Sequence, residues 1–306
     1  MSEKSWLQLI CSASNKHHES IEAEMESTGA ISITWQDAED EPVLEPLPGE
    51  TPLWRNLIIT ALFESDINLS TLTQTLINNQ SNWEISSVDT EVVKNQDWER
   101  VWMKDFHPMC FGENLWIVPS TTDLLDVKKL QNNSPNPTSI ILDPGLAFGT
   151  GTHPTTALCL EWLDKNPPKD LTVVDYGCGS GILAVAAAKL GAKHIIATDI
   201  DPQALTATKE NMRRNQITSD KIPCYLPGDC PEDTVDIVLA NILCGPLQEL
   251  YPRLSSYVKP GGHIVISGLL TTQKEDIIKT YSADFSNFKV KQLDDWIRIS
   301  ATKNTN

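Results

Sequence analysis

The first part of the chain alternates apolar stretches with two amphipathic segments. Apolar side chains at every second position are typical of half-buried strands, and they predict four of them, at residues 6–12, 30–35, 57–63 and 83–92. Helical spacing after the first and third strands predicts two helices, which end near Ser27 and Asn79. The resulting order, β-α-β-β-α-β, is that of a ferredoxin-like sandwich.

A polar connecting region follows this module. Its pattern predicts a short amphipathic helix at residues 97–105, one strand at residues 109–119 and a polar loop at residues 126–138. The loop prediction depends on clustered Asn, Ser and Pro residues, which favour turns over regular structure.

The pattern changes at Ile140, where short apolar strands begin to alternate with helices. Such alternation predicts a doubly wound, mostly parallel sheet, and residues 288–300 add a final hairpin that contains Trp296. The predicted fold class is therefore α/β, with a large doubly wound C-terminal sheet and a smaller ferredoxin-like N-terminal domain. The corresponding segments are residues 1–95, 96–138 and 139–306.

The chain has a strong acidic bias, which is concentrated near its N-terminus. The net charge is −17, and the first hundred residues contain 18 acidic and 5 basic side chains. We expect this segment to repel nucleic acid, because nucleic-acid binding needs a basic surface, and to attract a basic partner. The alternative is that the acidic surface only keeps the protein soluble.

The composition also disfavours several cellular settings. No run approaches the ~20 apolar residues of a membrane helix, and the N-terminus lacks the apolar segment of a signal peptide. The 7 cysteines are widely spaced and form no C-x-x-C pair, which argues against a disulfide framework or a zinc site. We therefore expect a cytoplasmic protein with reduced thiols, no membrane partner and no metal.

An apolar strand, a glycine-rich turn and a helix start follow one another at residues 171–183. The strand ends at Asp175, and three glycines follow at alternate positions, Gly177, Gly179 and Gly181. Glycine suits a backbone that takes a positive φ or lies against a ligand. A dinucleotide fingerprint would need its third glycine at position 182, where this chain has isoleucine. The turn therefore favours a cofactor without a pyrophosphate.

Two further strand ends carry polar side chains. Asp199 ends the next strand, where a carboxylate can accept hydrogen bonds from both ribose hydroxyls of an adenosyl group. The neighbouring Asp201 already suits the cap of the helix that starts at Pro202. Asn241 ends a later buried strand, and its carboxamide can accept a hydrogen bond from an amine. The alternative for Asn241 is a residue that only begins a turn.

These motifs carry a resemblance to a known family. D-Y-G-C-G-S-G at residues 175–181, with the strand that ends in Asp199, resembles the class I, Rossmann-like S-adenosylmethionine-dependent methyltransferases. Two more motifs make the resemblance specific, D-P-G-L-A-F-G-T-G-T-H-P-T-T at residues 143–156 and N-I-L-C-G-P-L at residues 241–247. From about residue 140 onward the chain is similar to the bacterial methyltransferases of large-subunit ribosomal protein eleven. The acidic N-terminal segment fits that family's substrate-recognition domain.

The resemblance implies S-adenosylmethionine as the cofactor and lysine or N-terminal α-amines of a basic ribosomal protein as methyl acceptors. It implies cofactor contacts at Thr156, Gly177, Asp199 and Asn241. Asn241 is also the candidate catalytic residue, because its side chain, or alternatively the carbonyls of residues 241–242, can hold the acceptor amine. The contact at Thr156 depends on the resemblance alone. Gly179 and Asp175 of the turn complete the candidate cofactor site, together with Phe148, which either packs on the ligand or is an ordinary core residue.

Other interpretations stay open at this point. His153 is either a general base or, preferably, a structural imidazole, and Thr156 is alternatively a hydroxyl at a helix N-terminus. The rival functions are a methyltransferase for a small amine or another protein, a nicotinamide-dependent oxidoreductase, and a non-catalytic binding module with the same fold.

Overall fold

The computed structural model describes residues 5–39, 53–94, 107–143 and 152–305. These residues belong to two compact units, Met1–Trp98 and Glu99–Asn306. The finer division of the chain at residues 95 and 138 stays a prediction. The helix predicted at residues 97–105 lies outside the described ranges.

The first unit is an antiparallel sheet packed against two helices. Its elements are β1 (Ser5–Ser14), α1 (His18–Ser27), β2 (Ser32–Asp37), β3 (Asn56–Glu64), α2 (Ser70–Asn78) and β4 (Ile85–Lys94). The strand order is β2-β3-β1-β4, and each neighbouring pair is antiparallel. Alternate residues of the central strands, such as Leu9 and Ile59, are buried with Ile21 of α1 and Leu76 of α2. The predicted ferredoxin-like topology is confirmed.

The described part of the second unit contains a three-stranded sheet and a seven-stranded sheet. Its strands are β5 (Met109–Phe111), β6 (Leu115–Val118), β7 (Thr138–Ile141), β8 (Thr172–Tyr176), β9 (His194–Thr198), β10 (Cys224–Tyr225), β11 (Val235–Asn241), β12 (Val258–Leu270), β13 (Phe285–Leu293) and β14 (Trp296–Lys303). Its helices are α3 (Leu124–Leu130), α4 (Pro154–Lys165), α5 (Ile182–Lys189), α6 (Pro202–Arg214), α7 (Cys244–Glu249), α8 (Tyr251–Tyr257) and α9 (Lys274–Tyr281). None of the helices in the described ranges has the length and apolar character needed to cross a membrane.

The large sheet has the order β10-β9-β8-β11-β12-β14-β13. Its first five strands are parallel, whereas β14 runs antiparallel to both β12 and β13. Counted from β8, the order is 3-2-1-4-5-7-6, so the direction of winding reverses between β8 and β11. Open sheets bind ligands at the carboxyl ends of the strands at such a switch point. The predicted doubly wound class and the C-terminal hairpin are both confirmed.

Helices bury both faces of the large sheet. Val173 and Leu239 pack with α4 and α5 in one cluster, whereas Val174 and Val238 pack with α8 and α9 in another. Successive residues of a strand point to opposite faces, which explains why β8 and β11 are almost continuously apolar. The three-stranded sheet contributes residues such as Ile117 to the first cluster.

Two elements of the connecting region differ from their predictions. The strand predicted at residues 109–119 is the hairpin of β5 and β6, because Gly112 takes a left-handed φ of 72° and reverses the chain. The loop predicted at residues 126–138 starts inside α3. The Asp123 side chain caps that helix, since it accepts a hydrogen bond of 2.7 Å from the Leu125 N–H at the first turn.

Candidate active site

The glycine-rich turn stands at the carboxyl end of β8, as predicted. Gly177, Gly179 and Gly181 all take left-handed φ values, of 75°, 53° and 74°. The backbone N–H groups of Gly177 and Cys178 donate to the carbonyl oxygen of Thr198 at 2.8 and 3.1 Å. The turn is thereby fixed to the end of β9, while its open side remains at the switch point.

A second reason for glycine is the close approach of the neighbouring turn after β11. A Cβ atom on Gly177 would lie 2.3 Å from Cγ2 of Ile242, and one on Gly268 would lie 2.3 Å from the Ile242 carbonyl oxygen. The backbones at Gly177 and at Gly268 of β12 therefore both pack directly on Ile242, with no space for a side chain at either position. The sequence analysis identified Gly177 because it belongs to a glycine-rich motif. It did not identify Gly268, whose contact with Ile242 appears only in the folded structure.

Gly177→Ala is expected to destabilise the turn by about 1–3 kcal/mol, through the left-handed φ and the overlap with Ile242. Thermal unfolding and calorimetry with S-adenosylhomocysteine, the demethylated form of the expected cofactor, would measure the loss of stability and of affinity. The matched control is Gly228→Ala, since nothing lies within 4 Å of a Cβ there. Equal behaviour of the two variants would contradict the close-packed turn.

Asp199 directs its carboxylate to this turn. One oxygen accepts from the Gly179 N–H at 2.9 Å, and the other accepts from the Asp201 N–H at 3.0 Å. Asp201 is the cap of α6, where it accepts from the Gln203 N–H, so the predicted cap is confirmed. The ribose contact of Asp199 stays a prediction. Each oxygen of Asp199 keeps a second lone pair for a ligand, and the side chain is only half-buried.

Asp175 is buried beneath the turn. One of its oxygens accepts from the Ala184 N–H at 2.9 Å, which connects the strand end to the first turn of α5. Burial raises the pKa of the Asp175 carboxyl to about 7, and the negative charge of Asp199 adds to this, whereas the Ala184 hydrogen bond opposes it. A direct cofactor contact of Asp175 stays a prediction.

Asn241 and Thr156 meet on the other side of the switch point. The Asn241 Nδ2 donates to the Thr156 Oγ1 at 3.1 Å, and Thr156 is fully buried in the first turn of α4. The Asn241 Oδ1 is also buried but accepts no hydrogen bond from any residue in the described ranges. A buried acceptor without a donor costs roughly 1–3 kcal/mol, so this oxygen is a position at which a ligand N–H or O–H would be stabilised.

The comparison with known sequences agrees with this geometry. A family model described as "Ribosomal protein L11 methyltransferase (PrmA)" matches residues 5–304. The chain belongs to this family. A relative from Vibrio cholerae named ribosomal protein L11 methyltransferase is 49% identical over 300 residues, which cover 97% of this chain and 99% of the relative. One of the same name from Marinobacter nauticus is 44% identical over 301 residues, which cover 97% and 98%.

A solved structure is also similar. The crystal structure of the ribosomal protein L11 methylase from Lactobacillus delbrueckii subsp. bulgaricus is 33% identical, with a TM-score of 0.56. The match covers 65% of this chain and 100% of that one. This member of the L11 methyltransferase family is therefore a methyltransferase, and the oxidoreductase and the non-catalytic module are no longer candidates.

His153 has a structural position in this methyltransferase. It caps α4, and its Nδ1 accepts from the Thr155 N–H at 3.3 Å. Its ring packs edge-on against Trp296, with 4.8 Å between the ring centroids. Burial lowers the pKa of the imidazole, so the neutral form that caps the helix is favoured at neutral pH. The sequence placed Trp296 only in a hairpin, and its contact with His153 depends on the pairing of β14 with β12.

Two hydrophobic residues beside the site are exposed. Ile200 follows Asp199 and is 82% exposed, and Leu243 follows the Asn241 strand end and is 52% exposed. Exposed apolar side chains next to polar strand ends are typical of ligand sites, but the sequence pattern alone could not show the exposure. Phe148, the remaining candidate from the sequence, lies outside the described residues.

Proposed function

We propose that this methyltransferase transfers methyl groups from S-adenosylmethionine to lysine and N-terminal α-amines of ribosomal protein L11. The observation that carries the proposal is the buried Asn241 Oδ1 at the switch point, which has no hydrogen-bond partner among the residues that the structure describes. The names of the full-length relatives support the substrate.

The residues at the switch point fit the proposed cofactor. Asp199 has free lone pairs for the two ribose hydroxyls, and the exposed Ile200 beside it gives the adenine ring an apolar surface. The left-handed φ values of the glycine turn give its backbone a conformation that other residues rarely take, at the strand end where the cofactor would lie. When bound, S-adenosylmethionine supplies a methyl group on a positively charged sulfur that is a good leaving group.

The chain's own contribution is to hold and align the acceptor. The Asn241 Oδ1 accepts a hydrogen bond from the amine N–H, and the hydrogen bond to Thr156 fixes the orientation of the carboxamide. Alignment of this kind contributes a large share of the rate acceleration in a direct displacement. The amine must be neutral to attack, although the reference pKa of a lysine is about 10.4 and that of an α-amine about 8. Its removal from water lowers both values.

The test of this function uses the protein with methyl-labelled S-adenosylmethionine and the unmodified proteins of the large ribosomal subunit. Label on L11, located by mass spectrometry on lysine and N-terminal amines, is the expected result. Label only on small amines, or on a different ribosomal protein, would contradict the proposed substrate.

The acidic first unit is proposed to bind the basic substrate. Its exposed carboxylates occur on the helices and on the strands, for example Glu19, Glu26, Glu64, Asp89 and Glu91. Attraction between such a surface and a basic protein speeds the encounter and weakens with salt.

Deletion of residues 1–98 is expected to leave S-adenosylhomocysteine binding intact and to lower L11 methylation at least tenfold, because the encounter surface is lost. Calorimetry and initial rates measure the two effects. In the intact protein, added salt should raise the KM for L11 without changing the affinity for S-adenosylhomocysteine. Full-rate methylation by the truncated protein would show that the first unit has a different role.

A further inference from the structure

Arg298 is a buried cation without a carboxylate partner in the described part of the chain. It lies in β14 and is only 9% exposed. Its Nη1 donates to the Ser300 Oγ at 3.0 Å, whereas its buried Nε has no hydrogen-bond acceptor among the described residues. Burial lowers the pKa of the guanidinium, but the ordinary value is so high that the group stays charged at neutral pH. Burying a charge without an ion-pair partner costs free energy of folding. The position of such a charge is therefore a candidate for a functional role.

Arg298 points to the same face of the sheet as Asn241. Leu239, two residues before Asn241, pairs with Val265, and Val265 pairs with Ser300, two residues after Arg298. Residues two apart share a face of the sheet, and this face is the one that α4 covers.

Only β12 separates the strands of Asn241 and Arg298. Asn241 pairs with Ser267 of β12, and the Ser267 Oγ donates to the Ile297 carbonyl oxygen at 3.0 Å, one residue before Arg298. Two strand spacings amount to about 10 Å. The backbone positions of Asn241 and Arg298 are therefore about 10 Å apart. The hydrogen bond to Ser300 directs the guanidinium toward the amino end of β12, and α4 covers the face between the two residues.

Other charged and titratable groups lie on this face of the sheet or on the helix that covers it. They are Cys159 and Glu161 of α4, Asp175 of β8, His263 of β12, and Lys289 and Lys291 of β13. A carboxylate would raise the pKa of a nearby amine, whereas a cation lowers it. Burial holds Asp175 partly neutral near pH 7, and Glu161 is half-exposed. The two lysines are exposed, so solvent screens them. Among the residues that the structure describes, Arg298 is thus the buried source of positive charge on this face.

We infer that the Arg298 guanidinium favours the neutral, nucleophilic form of the acceptor amine beside Asn241. The inference rests on the proposed amine methylation. A fixed positive charge disfavours an ammonium nearby, so the acceptor gives its proton to solvent more readily. The nitrogen lone pair then forms the bond to the methyl carbon while the carbon–sulfur bond breaks, and that electron pair stays on sulfur. At roughly 10–15 Å between the two charges and an intermediate effective dielectric constant, the expected effect on the pKa of the bound amine is about one unit.

The test is the pH profile of kcat at saturating substrate concentrations, since this profile reports groups in the bound complex. Arg298→Met is expected to move the acid limb upward by about one pH unit. The rate therefore falls roughly tenfold at low pH and recovers at high pH. Arg298→Lys keeps the charge and should leave the limb near its original position. Lys291→Met is the matched control, since it removes an exposed cation of β13 that pairs directly with Arg298 of β14.

Thermal unfolding and S-adenosylhomocysteine affinity separate this effect from loss of structure. A merely structural role predicts a lower plateau or a less stable protein with an unmoved acid limb. Arg298→Gln is the second neutral variant, because its amide can still donate to the Ser300 Oγ. An unmoved limb in the folded neutral variants, or an equal shift in Lys291→Met, would overturn the inference. Absence of amine methylation by the unaltered protein would instead overturn the proposed function.

Discussion

Asp199→Ala is expected to weaken the binding of S-adenosylmethionine at least 100-fold while the fold stays intact. The variant would lose the two hydrogen bonds that the carboxylate is proposed to accept from the ribose hydroxyls. Hydrogen bonds to charged groups contribute about 1.5–3 kcal/mol each. The substitution also removes the bond from the Gly179 N–H that fixes the turn. Isothermal titration calorimetry with the cofactor measures the loss directly.

The matched control is Asp201→Ala. Asp201 lies two residues away and caps α6, so its removal should cost about 1 kcal/mol of stability with little change in cofactor affinity. Unchanged affinity in Asp199→Ala, or equal losses in the two variants, would remove Asp199 from the cofactor site.

Asn241→Ala is expected to lower kcat about 100-fold, the size of effect found when one aligned hydrogen-bonding group is lost from a reaction centre. The variant loses the Oδ1 that is proposed to hold the amine. Single-turnover methylation of L11 with saturating cofactor measures the chemical step separately from product release.

Thr156→Val supplies the comparison for Asn241. It removes the hydroxyl that accepts from the Asn241 Nδ2 but keeps the Oδ1, so we expect a smaller loss of about tenfold, through misorientation of the amide. A normal rate in Asn241→Ala would remove the carboxamide from the mechanism. A larger loss in Thr156→Val than in Asn241→Ala would make Thr156 the principal residue.

Local sequence signals predicted most of the architecture. Alternating and helical patterns located the strands and helices of both units, because each depends on neighbours within a few residues. The cap at Asp201 was also predictable, because it directly precedes Pro202 at the start of α6. The glycine turn was identified for the same reason: its conformation is a property of its own residues.

Features that depend on contacts between residues far apart in the sequence could not be predicted from it. Asn241 and Thr156 are 85 residues apart, and their hydrogen bond follows from the packing of α4 on β11. Burial of the Arg298 charge depends in the same way on the cover that α4 gives to β14. The reversal at Gly112 was missed because the apolar residues on both sides of it resemble one continuous strand.

The central claim is that the glycine turn and Asp199 hold an adenosyl group whose sulfur faces Asn241. Crystals soaked with S-adenosylmethionine or S-adenosylhomocysteine test it most directly. We predict a ligand at the carboxyl ends of β8 and β9, with both ribose hydroxyls on the Asp199 carboxylate and the sulfur oriented toward the Asn241 side chain. A nucleoside bound away from this turn, or one whose ribose does not contact Asp199, would contradict it.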